Sequence, residues 1–479
     1  MLPSSWRFPF GIDKLLKSLR AERERRLPCL SLEDHELYGD TYGQYAGGLF
    51  TILTRDPRNI ASVLSEQFSK FDHGNLRQIC FGCLLGEGIF TENGEDWKKS
   101  RRLLASELHK PSFPPVGTIE SHFKHMLKNI YSAADDDGRI DVRPLFYNYT
   151  LDTATGLFLG VSTGLLTHSS LIDTEGRRFS LAFNKAIRWL AVRERFKMFA
   201  WIVTWPGLWS LCTSARDSLE NMIIEAQRKE MGSKLTPFTD FLGRTTDLGK
   251  ARDELMSLLF AARDTSASLL CWVVYVLARE PRVFQKLEKE ILSTMGNDPS
   301  VLPTDSDLMG MQYLEDILHE CLRLFPAIPI NGRVSNTTTT LPVGGGSSGD
   351  QPILVPKGTL VCFSTFGCHR STKYYGEDAM DFRPERWREV DVKIRTRDYT
   401  FHPFIGGPRK CLGETFAMNV MKFTVCRLVQ HFRAIEVDNL SYEDRSKWQE
   451  SIKYQIGLTM SPDDDVCIKF SRRAVDHTL

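Results

Sequence analysis

From about Ala251 to Arg279 the chain carries apolar residues on nearly every face of a helix. A helix that is apolar all round has no face to give to water, so it has to be buried and the rest of the chain has to wrap it. Length and composition permit this: 479 residues, 42% of them hydrophobic and 25% charged, supply a sizeable core. That length fits two or three domains or one large unit. The apolar run is broken in mid-course by Arg263-Asp264-Thr265-Ser266. Charge inside a buried helix is costly unless it is paired. Either Arg263 and Asp264 form an internal ion pair beside a capping hydroxyl, or the charge serves chemistry.

A second stretch is as demanding. Phe404-Ile405-Gly406-Gly407-Pro408-Arg409-Lys410-Cys411-Leu412-Gly413 leads into a helical pattern from Glu414 to about Phe432. Gly406, Gly407 and Gly413 permit close approaches that a β-carbon would block, so a flat group can lie against the main chain. The helix N-terminus and Arg409 both favour a thiolate at Cys411. A thiolate is the axial donor that equips a haem iron to split dioxygen. The pattern FxxGxRxCxG resembles the haem-binding loop of the cytochrome P-450 family.

That resemblance gives meaning to features that are ordinary on their own. In the helical stretch Thr91–Glu107, Trp97 and Arg101 lie four apart on one face. Their WxxxR spacing resembles the family's helix that binds a haem propionate. Lys98, Lys99 and Arg102 would then form a basic rim suited to an acidic electron donor. Glu320 and Arg323 lie three apart in the helical stretch Leu308–Leu324, ahead of Pro384-Glu385-Arg386-Trp387. An isolated pair of this kind is common and worth little. In the family's context Glu320, Arg323 and Arg386 resemble the buried triad that fixes the cysteine loop. The resemblance further implies that Arg333, His402 and Arg409 join Trp97 and Arg101 around the propionates, that Phe404 and Gly413 complete the haem cradle, and that Cys411 is the iron ligand. Ala261-Ala262-Arg263-Asp264-Thr265-Ser266 resembles the acid and alcohol pair that relays protons above the haem, with Ala262 where glycine is usual. By that likeness Asp264 and Thr265 are the catalytic residues.

Other signals exclude more than they assign. A formal net charge of +1 argues against a nucleic-acid footprint. Eleven cysteines without paired spacing do not form a disulfide framework. Cys80 and Cys83 make a lone CxxC that lacks further zinc ligands and a thioredoxin-like setting, so packing is the favoured reading. Gly344-Gly345-Gly346-Ser347-Ser348-Gly349 satisfies GxGxxG but precedes the strand-like Ile353–Pro356, which makes it a hairpin loop rather than a dinucleotide site. Electrons must therefore come from another protein. Ile12–Arg26 reads as a solvated helix end in preference to an interfacial membrane helix. No N-terminal run approaches the ~20 apolar residues of a bilayer span. The aromatic run Met198–Trp209 suits either core or a loop dipping into a membrane interface.

The expected fold is mainly α (α+β), a large helical body with one long central helix and small β-sheets. Residues 1–30 form an N-terminal segment with a potential for membrane association, and 31–479 a single catalytic domain. The resemblance implies a monomeric haem-thiolate monooxygenase with haem b and dioxygen, fed by an NADPH-cytochrome reductase. Its substrate is a hydrophobic small molecule. Local runs such as Leu85-Gly86-Glu87-Gly88-Ile89-Phe90 are similar to the fungal branch that hydroxylates n-alkanes and fatty acids, with a secondary-metabolite intermediate as the other substrate class. Such enzymes sit on the cytoplasmic face of the endoplasmic reticulum. The alternatives are a haem-thiolate isomerase or dehydratase that needs no reductase, and a haem sensor or carrier; Asp264 and Thr265 argue against both.

Overall fold

The computed structural model describes residues 11–46, 49–110, 114–136, 139–167, 174–230, 247–437, 448–449, 452–463 and 466–473. Its longer helices, in chain order, are α1 (Ile12–Arg23), α2 (Leu27–Tyr38), α3 (Leu76–Leu85), α4 (Gly94–Leu108), α5 (Val116–Asp136), α6 (Val142–Leu159), α7 (Glu175–Phe196), α8 (Pro206–Glu230), α9 (Leu248–Leu277), α10 (Pro281–Met295), α11 (Gln312–Leu324) and α12 (Glu414–His431). The main sheet runs β1 (Thr41–Ala46), β2 (Leu49–Thr54), β8 (Leu360–Ser364), β5 (Ile330–Ser335), β3 (Phe71–Asp72). β2 and β8 pair in parallel and the other neighbours are antiparallel. Smaller sheets join β4 (Arg139–Asp141) to β12 (Cys467–Arg472) and β9 (Phe432–Glu436), β6 (Thr339–Gly345) to β7 (Gln351–Val355), and β10 (Tyr454–Ile456) to β11 (Met460–Pro462).

The apolar run is α9. Asp247 caps it by accepting from the Lys250 N–H at 3.0 Å, and no proline interrupts it. It lies along α6 and also packs on α3, α8, α11 and α12. Trp272, fully buried, stacks on Phe325 with ring centroids 4.1 Å apart and donates to the Met460 carbonyl at 2.9 Å. Among the described residues α9 is the one helix long and apolar enough to cross a membrane, and 78% of its apolar window is buried inside the protein. It is the core the sequence demanded.

Local departures from expectation have local causes. The stretch Leu308–Leu324 is divided at Met311, whose ψ of 80° leaves the helical region, into a short helix Asp305–Gly310 and α11. The sequence is patterned as a helix from Asn59 to about Phe68; the structure there is a short α-helix, Pro57–Ala61, widening into a π-helical turn at Ser62–Glu66. The glycine-rich run after Leu341 is a hairpin turn between β6 and β7, with the Gly344 N–H on the Gly349 carbonyl at 2.8 Å. The aromatic run forms a 3₁₀ turn, Lys197–Val203, between α7 and α8. Trp201, Ile202 and Trp209 are more than half exposed there.

Candidate active site

Buried helices close-pack on all sides, so an accessible stripe in the middle of one marks an internal space. From Asp253 to Arg279, α9 and its end are buried except at Phe260, Ala261, Ala262 and Thr265. Ala261 and Thr265 lie one turn apart, with Ala262 beside them, and so share a face. The Thr265 hydroxyl donates back to the Ala261 carbonyl at 2.6 Å. Behind this face Asp264 accepts from Arg263 at 2.6 Å, and the Arg263 guanidinium lies 4.8 Å from the Tyr147 ring. Burial pushes the Asp264 carboxyl up against the pull of Arg263. The charge that interrupts α9 is therefore an ion pair backing an accessible alanine and hydroxyl face.

The cysteine loop is held by main chain. Gly407 has φ +67°, and a β-carbon there would sit 1.8 Å from the Leu64 carbonyl oxygen in the π-helical turn. Only glycine fits. Ile405 adopts φ +62°, a conformation that costs a β-branched residue about 1–3 kcal/mol. Its N–H on the His402 carbonyl at 3.0 Å, and the Cys411 N–H on the Phe404 carbonyl at 3.0 Å, keep the turn in place. Cys411 is solvent-accessible, yet the surrounding protein pushes its thiol up, against the Gly413 amide, Arg101 and Lys410. Arg409 is not among its neighbours: the guanidinium turns 4.2 Å over the Trp97 ring and donates to Glu92 O and Asn93 Oδ1, each at 3.1 Å. This corrects the expectation that Arg409 acidifies the cysteine. Arg101 takes that place, donating to the Lys410 carbonyl at 2.8 Å.

Trp97 thus lies between two guanidinium groups, with Arg101 5.8 Å from its ring. Arg333 and Arg77 extend the cluster. Arg333 is buried and bonds only neutral oxygens, Asn331 at 3.3 Å and the Gly332 carbonyl at 2.8 Å. Arg77 donates to the same Asn331 at 3.4 Å. Burial, with repulsion from Arg77 and Arg409, pushes the Arg333 guanidinium down. Arg409 is pushed down to about 10 by burial and by Arg77, and its Nη1 is buried without a partner. Glu194 acts on Arg77 and Asp72 on Arg409 only through space, with no hydrogen bond to either, and like charges concentrated in a half-buried place without bonded carboxylates call for an anionic ligand.

On the other side of the loop the expected triad is assembled. Arg323 donates to both Glu320 oxygens at 2.8 Å, and Arg386 Nε reaches Glu320 Oε1 at 2.9 Å. The Trp387 indole and the Arg383 N–H add 3.1 and 2.9 Å bonds to the same carboxylate. Arg323 also donates to the carbonyls of His369, Ala379 and Asp381. His402, expected at the propionates, is fully buried with Nδ1 on the Tyr399 carbonyl at 2.9 Å and its ring against His369 and Phe363. It joins none of the described arginines by a hydrogen bond, and its Nε2, like Arg409 Nη1, is buried without a partner.

Residues 30–459 match the family model described as Cytochrome P450. The chain belongs to that family. It is 34% identical over 473 residues to Cytochrome P450 52A13 of Debaryomyces hansenii, covering 94% of this chain and 89% of the relative. It is 35% identical to Cytochrome P450 52A3-A of Candida maltosa over the same shares of each. Cytochrome P450 monooxygenase g430 of a Fusarium species matches at 34% over 90% of this chain and 78% of its own length. This cytochrome P450 is accordingly a haem-thiolate monooxygenase that uses dioxygen, takes electrons from a redox partner and acts on hydrophobic compounds.

The residues present fit a haem. An accessible thiol, a cluster of unneutralised arginines suited to two propionates, and an accessible helix face of small residues are what that flat, dianionic group requires. Arg77 was missed from sequence because it stands in no motif. The signal available was a cation at the first turn of α3, on a short helix of otherwise apolar composition.

Proposed function

We propose that Cys411 is the axial ligand of this cytochrome P450, that Trp97, Arg77, Arg101, Arg333 and Arg409 hold the propionates, and that Asp264 and Thr265 handle protons on the opposite side. The observation that carries this reading is the accessible Phe260–Thr265 stripe on a helix buried elsewhere, in a protein whose one accessible loop thiol is presented by backbone locks. Bound haem supplies the dioxygen chemistry. The chain's own residues position and regulate. The surrounding protein raises the Cys411 thiol, so its proton would leave on binding the iron, since coordination deprotonates a ligating thiol. Glu320, Arg323 and Arg386 fix the turns at His369 and Ala379–Asp381, and His369 Nε2 in turn accepts from the His402 N–H at 2.9 Å. Gly413, at the N-cap of α12, offers its amide to the sulfur, and Phe404 packs the loop onto the core. The Thr265 hydroxyl, satisfied as a donor by Ala261, keeps its lone pairs for a proton entering the site. Asp264, pushed up by burial against the pull of Arg263, exchanges that proton with the interior.

The substrate we infer is a long-chain alkyl or fatty acyl compound, or a fungal secondary-metabolite intermediate of similar hydrophobicity. Phe260, Ala261 and Ala262 offer apolar surface at the reacting position, with walls from α3 near Cys80, the end of α7 at Phe196, and the β10–β11 turn at Leu458. Electrons arrive from an NADPH-dependent reductase. Lys98 and Lys99 on the outer side of α4 are candidates for its contact, although each is half-neutralised by Glu95 and Asp96 at 2.6 and 3.0 Å. Placement on the cytoplasmic face of the endoplasmic reticulum is supported by exposed Trp201, Ile202 and Trp209, and by exposed Leu16 and Leu19 on α1. We read residues 31–479 as one catalytic domain, since a single core cluster extends from Cys80 to Phe470. Residues 1–10 of the N-terminal segment lie outside the described residues.

Cys411→Ala tests the assignment. It is expected to abolish the carbon monoxide difference band of a thiolate-ligated haem, and an unaltered band would refute it. Supplying a fungal reductase with NADPH and a panel of alkanes, fatty acids and terpenoids should give hydroxylated products. Product formed without any electron donor would identify an isomerase instead.

A further inference from the structure

The CxxC motif has a partner that its spacing does not announce. Cys83 on α3 and Cys212 on α8 lie with their sulfurs 3.4 Å apart, although 129 residues separate them. Cys80 belongs elsewhere: its thiol faces the Arg193 carbonyl at 3.8 Å and is pushed up to about 11 by burial. Over the Cys83–Cys212 pair stands Arg193 of α7. It is buried, its guanidinium bonds the Ile79 carbonyl, Nη1 comes within 4.0 Å of Cys83 Sγ, and Nε is buried without a partner. A buried cation lacking a carboxylate favours a thiolate beside it. Both the hydrogen bond from Cys212 and Arg193 draw the Cys83 thiol down, while Cys212 is pushed up. The pair thus holds one nucleophilic sulfur and one protonated sulfur in contact. Arg216 keeps the two helices together by donating to the Leu84 carbonyl at 3.2 Å while paired to Asp253 at 2.8 Å.

We propose that Cys83 and Cys212 are a redox modification site, oxidised by hydrogen peroxide to a disulfide that staples α3 to α8. The Cys83 thiolate attacks one peroxide oxygen, the O–O bond breaks, and the leaving hydroxide takes up a proton to become water. The Cys212 sulfur then displaces the remaining hydroxyl from the resulting sulfenic acid, losing its proton to form a second water. Two thiols are oxidised by two electrons and one peroxide is reduced. Cys83 is partly accessible and is therefore the sulfur that peroxide reaches. Bonding requires the sulfurs to close from 3.4 Å to about 2.05 Å.

The staple bears on the active site. Phe81, two residues from Cys83, lies 6.1 Å from Phe260, and Phe90 beyond α3 lies 5.6 Å from it. Phe260 opens the accessible stripe of α9. Tying α3 to α8 fixes the wall that must yield when a long molecule passes, so oxidation slows entry.

The test uses the haem-loaded full chain and a long-chain alkyl imidazole, whose nitrogen shifts the haem absorption irrespective of what the natural substrate is. After one equivalent of hydrogen peroxide and alkylation of the remaining thiols, peptide mapping without reductant should show a Cys83–Cys212 peptide lighter by two hydrogens than its parents, with Cys80 alkylated. Association of the alkyl imidazole should slow, and dithiothreitol should restore it. Cys83→Ser and Cys212→Ser should bind at the unoxidised rate and lose the slowing. The proposal is overturned if Cys83 and Cys212 both remain alkylated, if Cys83 links to Cys80, if the bond forms without slowing association, or if Cys212→Ser still slows. Because the peptide map is read before any ligand is added, a wrong reading of the catalytic chemistry would leave it unaffected.

Discussion

Two clusters of arginine, one fully buried around Glu320 and one partly buried around Trp97, are opposites. Around Glu320 every charge is answered. Both carboxylate oxygens accept from Arg323, one also from Arg386, and the surplus donors of Arg323 reach carbonyls. Around Trp97 little is answered: Arg77, Arg333 and Arg409 bond neutral oxygens and repel one another. The first cluster is complete within the protein and so is architecture. The second would become complete with an anion and is the cluster we propose as a binding site. Buried charge is costly in either setting; whether the chain itself supplies the counter-charge separates the two roles.

The comparison breaks most visibly at Glu320. Glu320→Gln leaves Arg323 without a carboxylate and Arg386 with only Asp378, at 3.4 Å, at a cost of ~3–5 kcal/mol. Thermal unfolding and the yield of haem-loaded protein should both fall steeply; retention of wild-type stability would show that the carbonyls alone suffice. Asp264→Asn probes an intermediate case, a pair that is satisfied yet lies beside the accessible face. Substrate turnover should drop by roughly 10²-fold or more, the range for lost proton transfer, with the haem spectrum intact. A stability loss with full turnover would make Arg263–Asp264 purely structural. Arg333→Leu should do the reverse of Glu320→Gln. Removing one repelled cation leaves the haem-free protein as stable in urea or more so, while haem transfer to a globin acceptor rises about 10–100-fold, from the ~1.5–3 kcal/mol of a charge-assisted hydrogen bond.

The smallest effect concerns His402. Burial holds its imidazole at about 4, below the ordinary 6.5. A depressed folded pKa contributes stability above pH 6.5 that is lost as pH falls toward 4. Melting temperature should be level above pH 6.5 and decline below it. His402→Phe should flatten part of that decline, by at most about 3 kcal/mol at the acid end.

Sequence made the scaffold legible because its constraints are local or rest on fixed spacing. The burial of α9 follows from its composition, the Cys411 loop from its glycines, and the Glu320–Arg323 pair from a three-residue interval. What stayed hidden is long-range. Arg77 has no motif and joins the cluster only because α3 lies across from β5. Arg409, two residues from Cys411, was assigned to the sulfur by proximity in sequence, yet the Trp97 ring from 312 positions away claims it. Periodicity in Asn59–Phe68 gave a helix but could not show that the turn widens at Ser62–Glu66. The contact between Cys83 and Cys212 had no sequence signature at all, since the nearer cysteine suggested the wrong pair.

The meeting of Gly407 with the Leu64 carbonyl bears on how such an enzyme can diverge. Because main chain rests on main chain, the depth at which Cys411 is presented does not depend on any rotamer and cannot be adjusted in small steps by substitution. Descendants that fold inherit the sulfur where it is. Variation in what the enzyme accepts then falls to other walls, such as the accessible face of α9, where Ala262 can gain or lose a methyl group without touching the anchor. The fixed loop thereby leaves one wall of the chamber free to evolve while the chemistry behind it stays constant.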